Sequence, residues 1–231
     1  MENILITGGA GYKGVVLTTK LLELGYKITV LDNFMYGPEP LIHLSKNPKL
    51  KIVKADIRNK ISNLKKYDII IHLAGISGLP ACIANPSSAE MINVDATKLL
   101  VKSLSPGQLI INASTTSFYG KSGGKISEDS PLDPVSLYGE TKIKAEKIIA
   151  EHDNSINLRF ATIFGPSPKM RMDLLVNDFT YRAIKERVLL LYDGDAIRTF
   201  LHVDDAARGY IFSIKNYEKM INQKVYNIGN E

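Results

Sequence analysis

The chain has 231 residues, of which 45% are hydrophobic and 23% are charged. These proportions are ordinary for a folded domain and exclude a disordered, collagen-like or coiled-coil protein. The net charge of +5 comes from basic residues spread along the whole chain, so we expect no nucleic-acid partner. The single cysteine, Cys82, excludes an intrachain disulfide and favours a reducing, cytoplasmic location. Apolar stretches fall short of the roughly 18 residues that cross a membrane, and we expect no membrane partner.

Short apolar runs alternate with amphipathic stretches along the first two thirds of the chain. Because apolar runs without strict alternation are typical of strands covered on both faces, this order predicts an α/β fold with a Rossmann-type, doubly wound parallel sheet. The predicted strands are 4–6, 28–31, 50–53, 69–71, 109–111 and 156–160, and the predicted helices are 15–24, 89–104 and 137–150. Beyond residue 165 the pattern weakens and predicts a helix at 173–186, strands at 189–192 and 200–203, a helix at 204–214 and a strand at 225–228.

A glycine-rich turn, Thr7-Gly-Gly-Ala-Gly-Tyr-Lys-Gly14, follows the first predicted strand. Gly8, Gly11 and Gly14 let the backbone approach a pyrophosphate, while the next helix presents its N-terminal amides. Asp32 ends the second predicted strand, where a carboxylate binds the ribose hydroxyls and repels a 2′-phosphate. A glycine turn alone is equally a tight strand-to-helix connection. The strand before it, the helix after it and the acid favour a dinucleotide site, with NAD preferred over NADP.

Tyr138 and Lys142 are four residues apart, so on a helix they share one face. A phenol is a poor base at neutral pH, and a nearby ammonium stabilises its phenolate. Tyr138 is therefore a candidate acid/base for a substrate hydroxyl. The alternative is an ordinary exposed helix face. The hydroxyl-rich segment Ser114 to Gly120, after the strand at 109–111, favours the catalytic interpretation over a plain polar loop with helix-capping side chains.

Further motifs follow in a fixed order: Asp56-Ile57, His72 to Gly75, Asn93-Val94, Pro134 to Lys142, Leu158 to Phe160, Phe164 to Pro166, Arg198 to Asp205 and Tyr226 to Asn230. Together these residues resemble the extended short-chain dehydrogenase/reductase family. The resemblance is to its NAD-dependent nucleotide-sugar epimerase/dehydratase branch, and in particular to UDP-glucose 4-epimerase-like members.

The resemblance implies roles for individual residues. The implied catalytic set is Thr115, Tyr138 and Lys142. The implied NAD-binding residues are Gly8, Gly11, Tyr12, Lys13, Gly14, Asp32, Asn33, Asp56, Ile57, Leu73, Ala74, Gly75, Asn93, Tyr138 and Lys142. The implied substrate-binding residues are Thr115, Thr116, Thr162 and Arg198, with the arginine on the diphosphate of the sugar nucleotide. No metal ligands are expected.

Two positions separate the activities of this branch. The 4,6-dehydratases place Asp-Glu where this chain has Thr116 and Ser117, and a hydroxyl does not replace a carboxylate in an elimination. The resemblance therefore implies a C4 epimerase that regenerates its bound NAD each turnover. A nucleotide-sugar dehydrogenase or ketoreductase, a 4,6-dehydratase of the same family and a truncated, non-catalytic NAD-binding protein remain as alternatives.

The resemblance also implies a domain division and an assembly. Residues 1–165 are expected to form the NAD-binding domain, which also receives the elements around 198–215. Residues 166–231 are expected to form a partial, truncated substrate-binding lobe, since the family normally continues further. A homodimer is expected through the helices at 89–104 and 137–150. Lys13 departs from the family pattern, which is usually aliphatic at this position, and Thr162 stands where many epimerases carry asparagine.

Overall fold

A computed structural model describes residues 2–120, 124–192, 194–195 and 197–229, so the outermost predicted domain bounds, 1 and 231, lie outside it. Nine strands form two sheets in these ranges. They are β1 (Asn3–Thr7), β2 (Lys27–Asp32), β3 (Leu50–Lys54), β4 (Ile69–His72), β5 (Leu109–Thr115), β6 (Ser155–Phe160), β7 (Thr162–Phe164), β8 (Phe200–His202) and β9 (Val225–Ile228). The large sheet has the order β3-β2-β1-β4-β5-β6-β9 with all neighbours parallel, and β7 pairs with β8.

Seven α-helices accompany the strands in the described residues. They are α1 (Tyr12–Glu23), α2 (Leu79–Ala84), α3 (Pro86–Glu90), α4 (Ala96–Lys102), α5 (Leu137–Ala150), α6 (Leu175–Lys185) and α7 (Val203–Met220). A π-helical turn, Met91–Asp95, joins α3 to α4, so the predicted helix at 89–104 is built from three consecutive pieces. Within the described ranges, none of these helices has the length and apolarity needed to cross a membrane.

Helices cover both faces of the large sheet. Ile4 and Ile6 of β1 point into one apolar cluster, which also contains buried residues of α1 and α7. Leu5 lies between them in the sequence and points into a second cluster with Leu100 of α4 and Ile149 of α5. Because successive side chains of a strand point to opposite faces, one strand feeds both clusters. The predicted Rossmann-type doubly wound fold is confirmed.

The last third of the chain differs from the prediction in two places. The predicted strand at 189–192 is wrong: the segment has no regular structure, and Tyr192 is 83% exposed. An apolar run becomes a strand only where a neighbour completes its backbone hydrogen bonds, and among the described residues no strand pairs with this segment. The helix predicted at 204–214 extends to Met220. It packs on α1 and β6, while β9 completes the edge of the large sheet beside β6.

Candidate active site

The glycine turn between β1 and α1 makes a tight cradle. Gly8 has φ +71°, and a Cβ on it would lie 2.6 Å from the backbone nitrogen of Ala74. A Cβ on Gly14 would lie 2.7 Å from the carbonyl oxygen of Gly8. Gly11 precedes α1 without a side-chain cap, so the first helical amides, including that of Lys13, have no capping side chain. Close backbone approach and uncapped amides fit a pyrophosphate at this turn.

Asp32 connects the end of β2 to the glycine turn. Its Oδ2 accepts a hydrogen bond from the Ala10 backbone nitrogen at 3.0 Å, and its Oδ1 accepts one from Phe34 at 2.9 Å. The carboxylate is therefore fixed beside the turn, at the carboxyl edge of the sheet. This position fits the ribose of a dinucleotide.

Asp56 follows β3 at the same edge. Hydrogen bonds from the Arg58 side chain are the main cause that lowers its pKa to about 2, against the effect of burial. A smaller lowering comes from a hydrogen bond with Asn33, which lies just after β2. Ile57 is 8% exposed and packs in the second apolar cluster. Asn33 and Asp56 thus extend the charged and polar edge that begins at Asp32.

The loop after β4 lies against the glycine turn from the other side. Residues 73–75 form its start, and the loop is held by the buried side chain of Asn93 in the π-helical turn. Asn93 Oδ1 accepts from the Ile76 backbone nitrogen at 2.8 Å, and its Nδ2 donates to the Ile76 carbonyl and to Thr141 Oγ1, both at 3.0 Å. Both donors and the acceptor of this amide are therefore engaged within the protein. Asn93 shapes the loop that borders the site.

Tyr138 and Thr115 meet at the carboxyl end of β5. Ser136 caps α5 by accepting a hydrogen bond from the Gly139 nitrogen at 3.1 Å, which places Tyr138 in the first turn. Burial raises the pKa of Tyr138 to about 12, while a hydrogen bond with Thr115 and the charge of Arg171 act to lower it. Tyr138 is therefore protonated at neutral pH in this structure. It is the acid form of the proposed acid/base.

Lys142 lies one turn further along α5. Burial lowers its pKa to about 8, partly offset by the negative charge of Glu146. The sequence predicted that Lys142 is the cation beside Tyr138. The structure adds Arg171, whose positive charge acts on the Tyr138 phenol. Arg171 belongs to no predicted motif, and its position beside α5 depends on how the chain folds back after β7.

A buried ion pair anchors α5 beneath the site. Glu146 accepts hydrogen bonds from Arg159 of β6 and, at 2.6 Å, from Ser114 Oγ of β5. Arg159 also donates to the Tyr119 hydroxyl at 2.6 Å and to the Glu128 carbonyl at 2.8 Å. Both charged side chains are less than 10% exposed. Since Ser114 precedes Thr115, the predicted catalytic threonine, the pair links the helix that carries Tyr138 to the strand that carries Thr115.

Residues 165–177 form a segment, hereafter the covering segment, that crosses the loops at the carboxyl edge. Three of its side chains donate hydrogen bonds of 2.8 Å to the first residue of α1 and to the loops after β2 and β4: Ser167 to the Tyr12 carbonyl, Lys169 to the Tyr36 carbonyl and Arg171 to Ser77 Oγ. The Tyr12 hydroxyl in turn donates to the Gly165 carbonyl at 2.6 Å. Sequence analysis did not identify this segment as part of the site.

The remaining predicted substrate residues lie near one another around the small sheet. Thr116 donates from its Oγ1 to the Phe160 carbonyl at 3.3 Å. Thr162 is the first residue of β7, and its backbone nitrogen donates to the Thr199 carbonyl oxygen at 3.2 Å. Arg198 precedes Thr199 and is exposed. The pairing of β7 with β8 therefore brings Thr162 close to the segment that carries Arg198.

Comparisons with known proteins agree with this geometry. The sequence matches the NAD dependent epimerase/dehydratase family over residues 4–229. The chain belongs to this family. It is 31% identical to an uncharacterised UDP-glucose epimerase of Bacillus subtilis, over 98% of the chain and 76% of that protein. It is 26% identical to a putative UDP-glucose 4-epimerase of Methanocaldococcus jannaschii, over 95% of the chain and 75% of that protein.

Solved structures of epimerases also resemble this chain. A UDP-glucuronic acid 4-epimerase of Bacillus cereus, in complex with UDP-glucuronic acid and NAD, superposes with a TM-score of 0.87 at 28% identity, covering 99% of this chain and 78% of that one. A UDP-galactose 4-epimerase superposes with a TM-score of 0.82 at 25% identity, covering 99% and 77%. The predicted family, the NAD cofactor and an epimerase-type enzyme are confirmed. The homodimer, the cytoplasmic location, the domain division and the individual site roles stay predictions.

Proposed function

We propose that this protein is an NAD-dependent nucleotide-sugar 4-epimerase that acts on a UDP-sugar, with Tyr138 as the acid/base. The observation that carries the proposal is the meeting of the Tyr138 phenol with Thr115, beside Lys142, at the edge where the glycine turn opens. The relatives whose names include a UDP-sugar support the choice of nucleotide.

In the proposed reaction each of these residues has a separate role. Gly8, Gly11 and Gly14 would hold the pyrophosphate of NAD, and Asp32 would hold its adenosine ribose. NAD, when bound, supplies the site that accepts a hydride and returns it, and its oxidised ring adds positive charge. Tyr138 would first release its own proton to solvent, because the positive charges of Arg171 and of the bound oxidised ring favour its phenolate. The phenolate would then accept the proton of the sugar C4 hydroxyl and later return it to the C4 keto oxygen. Thr115 orients that oxygen by a hydrogen bond.

The alternative of a 4,6-dehydratase is disfavoured by the segment after β5. Ser117 is exposed, and its Oγ lies 2.9 Å from Thr115 Oγ1, while Thr116 is bonded to backbone. Neither side chain has a carboxyl group to remove or deliver a proton near neutral pH, as elimination of water requires.

The alternative of a dehydrogenase that releases its cofactor is disfavoured by the covering segment. The segment is hydrogen-bonded to the start of α1 and to the loops after β2 and β4, which border the dinucleotide site, and we infer that it hinders release of NAD. An epimerase returns the hydride to the same sugar and needs no exchange of cofactor. A segment held across the site in this way is consistent with an NAD that stays bound between turnovers.

The test is incubation of the protein with NAD and UDP-glucose, UDP-galactose, UDP-glucuronate or UDP-N-acetylglucosamine, with products resolved by chromatography and nuclear magnetic resonance. We expect interconversion of C4 epimers of one of these sugars without net absorbance change at the wavelength of NADH. Net NADH in step with an oxidised sugar would establish the dehydrogenase instead.

A variant tests the assigned tyrosine. Tyr138→Phe should lower kcat by a factor of about 10² to 10⁴, because it removes the proton donor and acceptor. Tyr181→Phe, at an exposed tyrosine on α6, is the matched control and should leave kcat unchanged. Equal kcat in Tyr138→Phe and the parent protein contradicts the proposed role.

A further inference from the structure

Lys13 extends from the glycine turn toward the catalytic edge of the sheet. It lies in the first turn of α1, and its Nζ is 4.8 Å from the centroid of the Phe160 ring. Phe160 ends β6 and pairs in register with Thr115 of β5. The amine of Lys13 therefore reaches the end of β6, three strands away from β1 and next to the strand that carries the predicted catalytic threonine.

The groups that face this amine make its charge sensitive to pH. Burial lowers the pKa of Lys13 to about 7, and the positive charges of Lys142 on α5 and Arg171 on the covering segment add to that effect. Two phenols lie in the same region: Tyr138 on α5, on which Arg171 also acts, and Tyr210 on α7, whose ring centroid lies 5.1 Å from that of Phe160.

Tyr210, which packs on Phe160, gives independent evidence for a polar group near the Lys13 amine. Its side chain is completely buried, and its hydroxyl has no hydrogen-bond partner in the described part of the chain. Burial raises its pKa, and the phenolate that Tyr138 can form raises it further. An orphaned hydroxyl is costly in a packed interior unless water or a ligand satisfies it.

The order of the strands decides which half of the cofactor Lys13 faces. Asp32 and Asp56 follow β2 and β3, on one side of the glycine turn, where the adenosine half fits. Tyr138 and Thr115 lie at β5, on the other side. Since the amine of Lys13 points to the end of β6, it lies on the nicotinamide side of the turn.

We propose that Lys13 sets the redox preference of the cofactor site: its ammonium opposes the cationic ring of NAD⁺ and so favours the uncharged ring of NADH. At an effective dielectric constant of about 20, two unit charges about 12 Å apart change an equilibrium by about tenfold, and closer charges change it more. The cations Lys142 and Arg171 act in the same direction, so Lys13 strengthens a field that is already positive. This inference depends on NAD binding and not on the sugar.

The experiment measures binding alone. The protein is incubated with mixtures of NAD⁺ and NADH, freed of unbound nucleotide by gel filtration and analysed by chromatography. At pH 6, where Lys13 is protonated, the NADH-to-NAD⁺ affinity ratio of the parent protein should exceed that of Lys13→Met by about tenfold. At pH 8.5 the difference should shrink to less than about threefold, because the amine is then neutral.

Controls separate the proposal from its alternatives. Lys147→Met removes an exposed lysine of α5 and should keep the parent ratio at both pH values. If Lys13→Met does not fold, as judged by circular dichroism, Lys13→Gln gives the same test. Equal ratios in parent and variant at pH 6, or a difference between parent and variant that is as large at pH 8.5 as at pH 6, overturn the proposal. If the protein shows the expected ratio of NADH to NAD⁺ affinity but epimerises no sugar, this inference stands and the proposed function is wrong.

Discussion

Replacing Glu146 with leucine removes one partner of the buried ion pair beneath the site. Arg159 then loses the carboxylate that its Nε and Nη2 bind, and keeps only the Tyr119 and Glu128 contacts of its Nη1. The guanidinium is 5% exposed, so water does not replace the lost partner. Leaving a buried charge uncompensated costs about 3–5 kcal/mol in the free energy of unfolding, and the retained contacts favour the lower end.

Urea denaturation followed by circular dichroism measures this loss, which corresponds to a fall in Tm of roughly 10 °C for a chain of this size. The double variant Glu146→Leu/Arg159→Met should be more stable than Glu146→Leu alone, because it removes the stranded charge as well. The matched control is Lys144→Met, on the same helix as Glu146, which breaks the exposed pair of Lys144 with Glu90 of α3, whose side chains are 52% and 41% exposed. That pair contributes at most ~1 kcal/mol. A double variant no more stable than Glu146→Leu, or a Glu146→Leu loss as small as that of the control, would refute the reasoning.

Two further predictions concern the glycine turn and the buried histidine. Gly8→Ala should abolish tight NAD binding and lower Tm, because the added Cβ would lie 2.6 Å from the Ala74 backbone nitrogen and the φ of this position is +71°. Calorimetry measures both effects. The control Gly107→Ala should show neither loss, because a Cβ at that position meets nothing within 4 Å. Burial is the main cause that lowers the pKa of His72 to about 3, so the unfolded state takes up a proton that the folded state excludes between about pH 6.5 and 3. Stability should therefore fall by about 1.4 kcal/mol per pH unit as pH drops through that window, and His72→Gln should flatten this slope in urea titrations whereas the exposed His43→Gln should not.

The repeated units of the fold follow from the local sequence. Strands β1, β2, β4 and β6 lie within one residue of their predicted bounds, β5 begins as predicted and runs four residues further, and α5 occupies 137–150 as predicted. These segments are regular because a buried parallel strand and an amphipathic helix each impose a pattern over a few neighbouring residues. A pattern of neighbouring residues does not show whether a partner strand will be present. The strand predicted at 189–192 is therefore absent, since no strand pairs with that apolar run in the described residues.

The sequence by itself determined the doubly wound architecture from the order of its apolar and amphipathic runs, and the family and its NAD cofactor from the resemblance of motifs along the whole chain. It also determined the candidate pair Tyr138 and Lys142, which depends on spacing within one helix. Only the tertiary structure brought Arg171 to the Tyr138 phenol, placed Lys13 over Phe160 and joined the covering segment to the start of α1 and to two separate loops. Those contacts join residues far apart in the chain, and no local pattern encodes them. They arise because parallel strands bring all their carboxyl ends, and the loops that follow them, to one edge of the sheet.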